Sequence, residues 1–176
     1  MMKTKTILVL SILLLVTACS SYPPVKTADY VDLQRFMGEW YVIASIPTFI
    51  EKEAYNPIET YRQNPDGSIA TTFRFNKGGF DGEITEYHPT GFVEDTQSNA
   101  IWKMQFVWPF KADYRIMHVS EDYSVTIIGR NKRDYVWLMA RSPEISDEEY
   151  ARMMQLIQQQ GYDLSKMQKE PHRIDS

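Results

Sequence analysis

The chain has 176 residues, a net charge of −4 and one cysteine. With 43% hydrophobic and 13% aromatic residues it carries enough apolar material for a packed core, which excludes a disordered chain. The sequence has no basic run, which argues against a nucleic-acid partner, and a single cysteine excludes an intrachain disulfide or a Cys-x-x-Cys metal site.

The first eighteen residues have the composition of an export signal. Lys3 and Lys5 precede an almost uncharged run, residues 6–16, that is too short to span a bilayer stably. The sequence Leu15-Val16-Thr17-Ala18-Cys19 resembles the bacterial lipobox, in which small residues precede a cysteine that is lipidated. We therefore expect residues 1–18 to be a lipoprotein signal peptide and Cys19 to carry lipid. The alternative is an ordinary signal peptide with a chance cysteine after it.

Residues 19–30 are expected to form a lipidated tether. The adjacent Pro23 and Pro24 favour extended chain, and no apolar period is visible in this stretch. Residues 31–176 are long enough for one domain with one core. Ser20, in place of an aspartate, resembles the choice that lets such lipoproteins proceed to the outer membrane of a Gram-negative cell. We expect the protein to be lipid-anchored there, on the periplasmic face.

From Gly38 onward, short β-branched and aromatic runs alternate with turn residues, which is the pattern of an all-β sandwich or barrel. Gly, Asn and Pro between the runs suit tight reversals, for example at Pro89-Thr90-Gly91, so neighbouring strands should be antiparallel. Eight strands are predicted, at residues 38–46, 58–63, 68–76, 82–88, 100–108, 114–120, 124–130 and 135–141.

Two of these strands place large apolar side chains at alternate positions, and therefore on one face. In the fifth strand they are Trp102, Met104, Phe106 and Trp108. In the third strand they are Ile69, Phe73 and Phe75. Such a face packs either as a solid core or as a wall around a ligand.

One helix is predicted after the last strand. Ser146 begins a capping box followed by acidic residues, and four apolar side chains then recur at helical spacing. These are Tyr150, Met153, Met154 and Ile157. The helix is expected to pack its apolar face against the outside of the sheet.

Three motifs resemble the lipocalin family. Phe36-Met37-Gly38-Glu39-Trp40-Tyr41 resembles the first lipocalin signature, G-x-W at the entry to the first strand. Glu121-Asp122-Tyr123, leading to Gly129-Arg130, is similar to the second block, and Trp137-Leu138-Met139-Ala140-Arg141 to the third. The resemblance implies an eight-stranded up-and-down antiparallel β-barrel with the C-terminal helix outside. With the lipobox it points to bacterial outer-membrane lipocalins, which it associates with lysophospholipids, fatty acids and membrane maintenance under stress.

In such a barrel, closure makes the first and eighth strands neighbours. Trp40 and Arg141 should therefore meet at one end, where a guanidinium over an indole face contributes about 0.5–2 kcal/mol. We expect this pair to be structural and to close the barrel floor.

The opposite end is the mouth, and it receives the first, third, fifth and seventh connections. The first is the longest, residues 47–57, and its Phe49-Ile50 pair is expected to act as an apolar lid. The mouth connections carry basic residues, mixed with acidic ones, that can meet a phosphate. They are Lys52, Lys77, Lys111, Arg130, Lys132 and Arg133.

Eight strands enclose an interior just wide enough for packed side chains or for one small ligand. The resemblance favours a ligand, and a lysophospholipid or fatty acid suits an apolar wall because each buried methylene contributes about 0.8 kcal/mol. Met104 is flexible and suits chains of different length. The lipid-binding wall is assigned to Ile69, Phe73, Phe75, Trp102, Met104, Phe106, Trp108, Tyr114, Ile116, Tyr135 and Trp137.

We expect a carrier that stores or transports lipid, not an enzyme, and no metal or cofactor. The sequence has no G-x-S-x-G or H-E-x-x-H motif, and its three histidines are scattered. His118 shares the inward parity of Tyr114, and Glu59 points inward if its strand keeps the register of Tyr61. A lipid-modifying enzyme, a binder of haem or another apolar ligand, and a purely structural envelope lipoprotein remain alternatives. An exposed mouth can also pair two copies as a homodimer.

Overall fold

The computed structural model describes residues 23–173. The predicted signal peptide and Cys19 lie outside the described residues. The helices are α1 (Leu33–Phe36), α2 (Asp147–Gln159) and a 3-10 turn (Leu164–Lys166). The strands are β1 (Gly38–Ile46), β2 (Ala54–Gln63), β3 (Ile69–Lys77), β4 (Ile84–Tyr87), β5 (Thr90–Val93), β6 (Ile101–Val107), β7 (Phe110–Val119), β8 (Val125–Gly129), β9 (Val136–Ala140) and β10 (Gln168–Lys169).

The strands form one antiparallel sheet that closes on itself. Each barrel strand pairs with the next along the chain, and β1 pairs with β9 from Tyr41↔Ala140 to Ile46↔Val136. Apolar side chains alternate along these strands, so one set fills the interior while the other faces outward. The predicted eight-stranded antiparallel barrel with an outer helix is confirmed.

The fourth barrel strand is broken in two. β4 pairs with β3 through Phe73↔Tyr87, and β5 continues the same register through Ala70↔Thr90. The predicted reversal at Pro89-Thr90-Gly91 is therefore wrong: Pro89 interrupts the ladder because it has no backbone N–H, but the chain keeps its direction. The reversal lies further on, between Val93 and Ile101.

The stretch before α1 is packed against the barrel and is not a loose tether. Val25 is buried, and its N–H donates to Asn131 Oδ1 (3.0 Å) in the loop between β8 and β9. The Ala28 N–H reaches the Ile116 carbonyl at 2.9 Å, and the Val31 N–H reaches the Ser98 carbonyl at 2.7 Å. The expected tether of residues 19–30 is thus too long, because Val25 and Ala28 already belong to the domain.

Helix α2 covers the outside of the barrel. Ser146 caps it by accepting the Glu149 N–H at 3.1 Å, as the capping box predicts, and acids occupy the first turn. Met153 and Ile157 are fully buried against outward-facing residues of β8 and β9. Within residues 23–173, the helices are too short or too polar to cross a membrane.

The C-terminal segment completes the sheet on the mouth side of β1. β1 and β2 pair only from Gly38 to Tyr41, and β10 then pairs with Ala44 and Ser45. Buried Glu170 accepts the Ser45 hydroxyl at 2.6 Å, which fixes this segment in place. The segment therefore belongs to the wall of the barrel.

Candidate functional site

The barrel interior is closed at one end by a plug of buried aromatic rings, which we call the floor. The Phe36 ring, carried by α1, lies 5.2 Å from Trp40 and 5.7 Å from Trp102. Trp40 Nε1 donates to the Phe36 carbonyl at 2.9 Å, and Trp102 Nε1 donates to the Asn99 carbonyl at 2.7 Å. Since both indole N–H groups are bonded to the backbone, the floor is packed and satisfied.

Arg141 seals the floor from below. Its guanidinium carbon lies 3.8 Å from the centre of the Trp40 ring. Its Nη atoms also donate to four backbone carbonyls of residues 35–39, at 2.6–3.1 Å. The structure therefore brings together the two residues that closure predicts, and the guanidinium ties the α1 segment to the end of β9.

Most residues assigned to the wall lie inside the barrel. Eight belong to the interior apolar cluster or pack against it: Ile69, Phe73, Phe75, Trp102, Met104, Tyr114, Ile116 and Trp137. Tyr135 stands at the mouth, with its ring 6.3 Å from Trp137. Ligand contact remains a prediction for each of them.

Phe106 and Trp108 are not part of the wall, and their assignment to it was wrong. Both are exposed, in the hairpin that joins β6 to β7. The β6–β7 register shifts between Met104 and Val107, and β6 pairs with β5 only as far as Gln105. Alternation therefore ceases to place side chains inward beyond that point.

The interior is filled at the floor and less filled toward the mouth. Trp40 and Trp102 have no accessible surface, whereas the inward-facing Glu59, Tyr87 and Trp137 are only half-buried. Side chains that point inward yet keep accessible surface border free space. These three side chains can therefore be reached from the mouth without removal of the floor.

A polar layer lies directly above the floor. Glu59 pairs across strands with Trp40 and Phe73, so it points inward. Its carboxyl contacts the Tyr61 hydroxyl and accepts the Tyr114 hydroxyl at 3.2 Å, and the two tyrosine hydroxyls contact each other. Burial, with repulsion from Glu51, raises the pKa of Glu59 to about 8. Glu59 is thus largely protonated at neutral pH, and the layer is neutral.

A second buried carboxyl comes from the loop between β1 and β2. Glu51 Oε1 accepts the Trp137 indole N–H at 2.8 Å, and Oε2 accepts the Thr48 N–H at 2.5 Å. Burial raises the pKa of Glu51 despite these bonds. The loop thus covers the interior with Glu51, while Phe49 of the predicted apolar lid points into solvent.

A pocket of about 380 Å³ lies at the mouth, between this loop and the ends of β3 and β4. It is lined by Phe49, Ile50, Phe75 and Tyr87, with Thr85, Glu53 and two lysines, Lys52 and Lys77. Phe75 and Tyr87 also belong to the interior cluster or pack against it. The pocket therefore connects the rim of the barrel to its interior.

Five of the six basic residues predicted at the mouth separate into two groups, and the sixth, Lys132, is exposed. Arg133 donates to three carbonyls, Arg130 lies 3.4 Å from Asp134, and Lys111 lies over the Phe92 ring. Lys52 and Lys77 instead line the mouth pocket. These two lysines are therefore the cations best placed to meet an anionic group at the opening.

Sequence comparison places this barrel in a known family. The family model for a lipocalin-like domain matches residues 31–172. The chain belongs to the lipocalin family. It is 30% identical over 159 residues to the outer membrane lipoprotein Blc of Citrobacter freundii, covering 87% of this chain and 88% of that protein. It is also 30% identical over 150 residues to temperature-induced lipocalin-1 of Arabidopsis thaliana, covering 80% and 79%.

Solved lipocalin structures share the fold. Lobster apocrustacyanin A1 superposes with a TM-score of 0.64 at 12% identity, covering 86% of this chain and 91% of its own. The resemblance that three sequence motifs predicted, to bacterial lipocalins of the outer-membrane type, is confirmed. The barrel of this lipocalin is a binding site for a lipid or another small hydrophobic ligand.

His118 of this lipocalin lies outside the barrel, so its predicted inward parity was wrong. The β7–β8 register shifts between Ile116 and His118, which turns the imidazole toward α2 and Arg152. Burial and the Arg152 charge lower the His118 pKa. Among residues 23–173, no three metal-ligating side chains come together.

The polar side chains of the lipocalin interior were only partly predictable from the sequence. The orientation of Glu59 followed from strand parity once the register with Tyr61 held. Glu51 was missed, because a loop has no periodic pattern that tells where a side chain points. The only available signal was an acidic residue directly after the apolar Phe49-Ile50 pair.

Proposed function

We propose that this lipocalin is a membrane-anchored carrier of single-chain lipids, lysophospholipids or fatty acids, with the tail in the barrel and the head at the mouth pocket. The observation that supports it most is the set of inward-facing apolar side chains between that pocket and the floor, which we call the apolar path. Phe75, Phe73 and Met104 follow one another along this path and are buried. Each methylene that a tail buries there contributes about 0.8 kcal/mol.

The buried carboxyls set the direction in which the lipid enters. A fatty-acid carboxylate placed deep in the barrel would lie beside the neutral layer of Glu59, where burial already raises the pKa of a carboxyl. It would lose its hydration there without gaining a cationic partner. The lipid head therefore stays at the mouth, and the tail meets the neutral layer of Glu59, Tyr61 and Tyr114.

The mouth pocket suits a phosphate-bearing head. Lys52 and Lys77 supply positive charge, and Glu53 supplies a partner for an ammonium group. Such solvated charges contribute little singly, so they select between heads instead of providing most of the affinity. The apolar path provides the affinity.

The anchor places this carrier beside its cargo. Lipid on Cys19 would hold the protein at the outer membrane, which is the location named for its bacterial relatives. We assign it to the periplasmic face of that membrane. Two or more acyl chains anchor a protein stably where one is marginal. Since the Arabidopsis relative is named for its induction by temperature, we assign the carrier to envelope maintenance under stress.

Displacement of a fluorescent fatty acid tests the carrier proposal. The mature chain carrying Cys19→Ser is expected to bind the probe saturably and to release it to lysophospholipid. Met104→Trp should fill the path and weaken binding at least about tenfold. Gln155→Trp, at an exposed position of the outer helix, is the control and should leave binding unchanged.

Three results would contradict the carrier proposal. Lack of saturable displacement favours a structural envelope protein, and displacement by haem alone favours a different ligand class. Lipid hydrolysis during the incubation would favour a lipid-modifying enzyme.

A second titration tests the position of the head. Lys52→Ala with Lys77→Ala should weaken binding of lysophosphatidylcholine about threefold, since two solvated ion pairs are lost. Binding of an uncharged monoacylglycerol should not change. Arg62→Ala with Lys166→Ala, both exposed and outside the mouth connections, is the control. Equal losses for both lipids would place the head elsewhere.

A further inference from the structure

The hairpin between β6 and β7 exposes five consecutive apolar residues, 106–110, which we call the tip. Trp108 is 81% exposed and Phe110 is 75% exposed. Aromatic rings are usually buried because they lose most by contact with water. A contiguous run of exposed apolar side chains is therefore typical of an interaction surface. Neither the barrel fold nor the cargo path uses these side chains.

The tip has no strand paired with it on the side of the barrel where β4 and β5 lie. β6 pairs with β5 from Trp102 to Gln105, and β4 pairs with β3 and not with β6. The tip therefore extends past the last cross-strand pair of that edge. It presents its side chains at the end of the barrel and not to a groove.

A further exposed aromatic residue lies on the other side of the mouth. Phe49, in the loop between β1 and β2, is 82% exposed. In the strand order, β1 and β2 lie across the barrel from β6 and β7. A flat surface laid on the mouth can touch Phe49 and Trp108 together, whereas a peptide in a groove cannot.

The chain outside the described residues starts at this same end. The Pro23 carbonyl accepts a hydrogen bond from Nη2 of Arg133, which lies in the loop between β8 and β9, at 2.8 Å. Asn131 of that loop donates its N–H to Asp113 at 2.9 Å, and Asp113 is three residues from Phe110. Cys19 precedes Pro23 by four residues in the sequence, and four residues of extended chain span at most about 14 Å.

We propose that the tip, with Phe49, inserts into the interfacial region of a lipid bilayer and holds the barrel mouth against the membrane surface. Tryptophan and phenylalanine rings prefer that region. A second copy is the less suitable occupant, because mouth-to-mouth pairing would bury both anchor points between two barrels. The orientation uses the lipidation of Cys19 proposed above, but insertion of the tip does not.

Quenching of Trp108 fluorescence tests the proposal without the anchor. The mature chain carrying Cys19→Ser is mixed with vesicles of phosphatidylethanolamine and phosphatidylglycerol that contain brominated acyl chains. Trp40, Trp102 and Trp137 lie inside the barrel, so bromine should quench the exposed Trp108. Trp108→Phe should remove the quenched component and retain vesicle binding.

Vesicle binding is then measured for Trp108→Ser with Phe110→Ser. This variant should bind at least about tenfold more weakly, because two large apolar groups no longer leave water. Tyr30→Ser, which removes a 60% exposed ring outside the mouth, should bind like the parent. Displacement of the fluorescent fatty acid should be unchanged in both, which separates this proposal from the carrier function.

Two results would overturn the proposal. One is that Trp108 stays unquenched while the protein binds vesicles. The other is that the tip variant abolishes a dimer seen by sedimentation and leaves vesicle binding intact.

Discussion

The two ends of the barrel use the same residue types for opposite purposes. At the floor, Phe36, Trp40 and Trp102 are fully buried and both indole N–H groups are bonded to carbonyls. At the mouth, Trp108 and Phe49 are exposed. An aromatic ring is worth several kcal/mol to folding only where its surface leaves water, so composition alone does not tell stability from function.

The ends differ in their charged groups in the same way. The Arg141 guanidinium at the floor is satisfied by an indole face and four carbonyls. Above it, Glu51 is buried and Glu59 is half-buried, and burial raises the pKa values of both carboxyls. The guanidinium ties backbone segments together and supports the fold, whereas the two carboxyls face the interior from the mouth side and are candidates for a site. The comparison predicts that substitutions at the floor change stability and that substitutions toward the mouth change binding.

Trp40→Ala should give the largest loss of stability. It removes a fully buried indole and leaves a cavity beside Phe36, which costs about 3–5 kcal/mol in the free energy of unfolding. Urea unfolding followed by circular dichroism measures this. A loss below about 1 kcal/mol would mean that packing at the floor does not stabilise the fold as proposed.

Arg141→Met should cost less, about 2–3 kcal/mol. The methionine keeps part of the packing on Trp40, but it leaves the backbone carbonyls of the α1 segment without their donor. Arg141→Lys is the matched control and should recover only part of the loss, because an ammonium group does not present a planar fork. The same urea titration measures both variants. Equal stability of Arg141→Lys and the parent would mean that the planar guanidinium geometry is not needed to stabilise the floor.

The fold was predictable because its signals are periodic. Alternation located the barrel strands, and the capping box at Ser146 located α2. Two boundaries moved for local reasons. β2 starts at Ala54, earlier than expected, because a bulge with Asn56 at positive φ lets the strand continue, and Pro89 breaks a strand without reversing it. Irregularities of one residue leave no periodic trace.

The site was less predictable for the same reason. Parity placed Phe73, Phe75 and Met104 correctly in the interior. It failed for Trp108 and His118, which lie beyond register shifts in β6 and β7. One extra residue turns every later side chain to the other face, so an error in register removes a residue from the site entirely.

Glu59→Gln tests whether the raised pKa of Glu59 makes the stability of the protein depend on pH. Because the Glu59 pKa is raised to about 8 in the folded protein, the folded state holds a proton that the unfolded chain has released above its ordinary value of 4.5. Stability should therefore fall as pH rises from about 5 to 8, by at most about 1.4 kcal/mol per pH unit. Glutamine keeps the hydrogen bonds and should flatten this slope.

The measurement is urea unfolding at several pH values, with Glu53→Gln as the exposed control. The control should keep the slope of the parent, because Glu53 lies at the rim in solvent. A slope that survives in Glu59→Gln would assign the titration to Glu51 or Glu170, the other carboxyls whose pKa values burial raises.

Trp108→Ala should have the smallest effect on folding, and this is where the comparison is most exposed to failure. The side chain is in water in the folded and unfolded states, so its truncation should change the free energy of unfolding by less than about 0.5 kcal/mol. The same urea titration that reports Trp40→Ala measures it. If both substitutions lower the free energy of unfolding equally, the tip packs against the rest of the fold. If Trp108→Ala leaves the free energy of unfolding unchanged but weakens vesicle binding, the exposed Trp108 ring serves to bind a membrane surface.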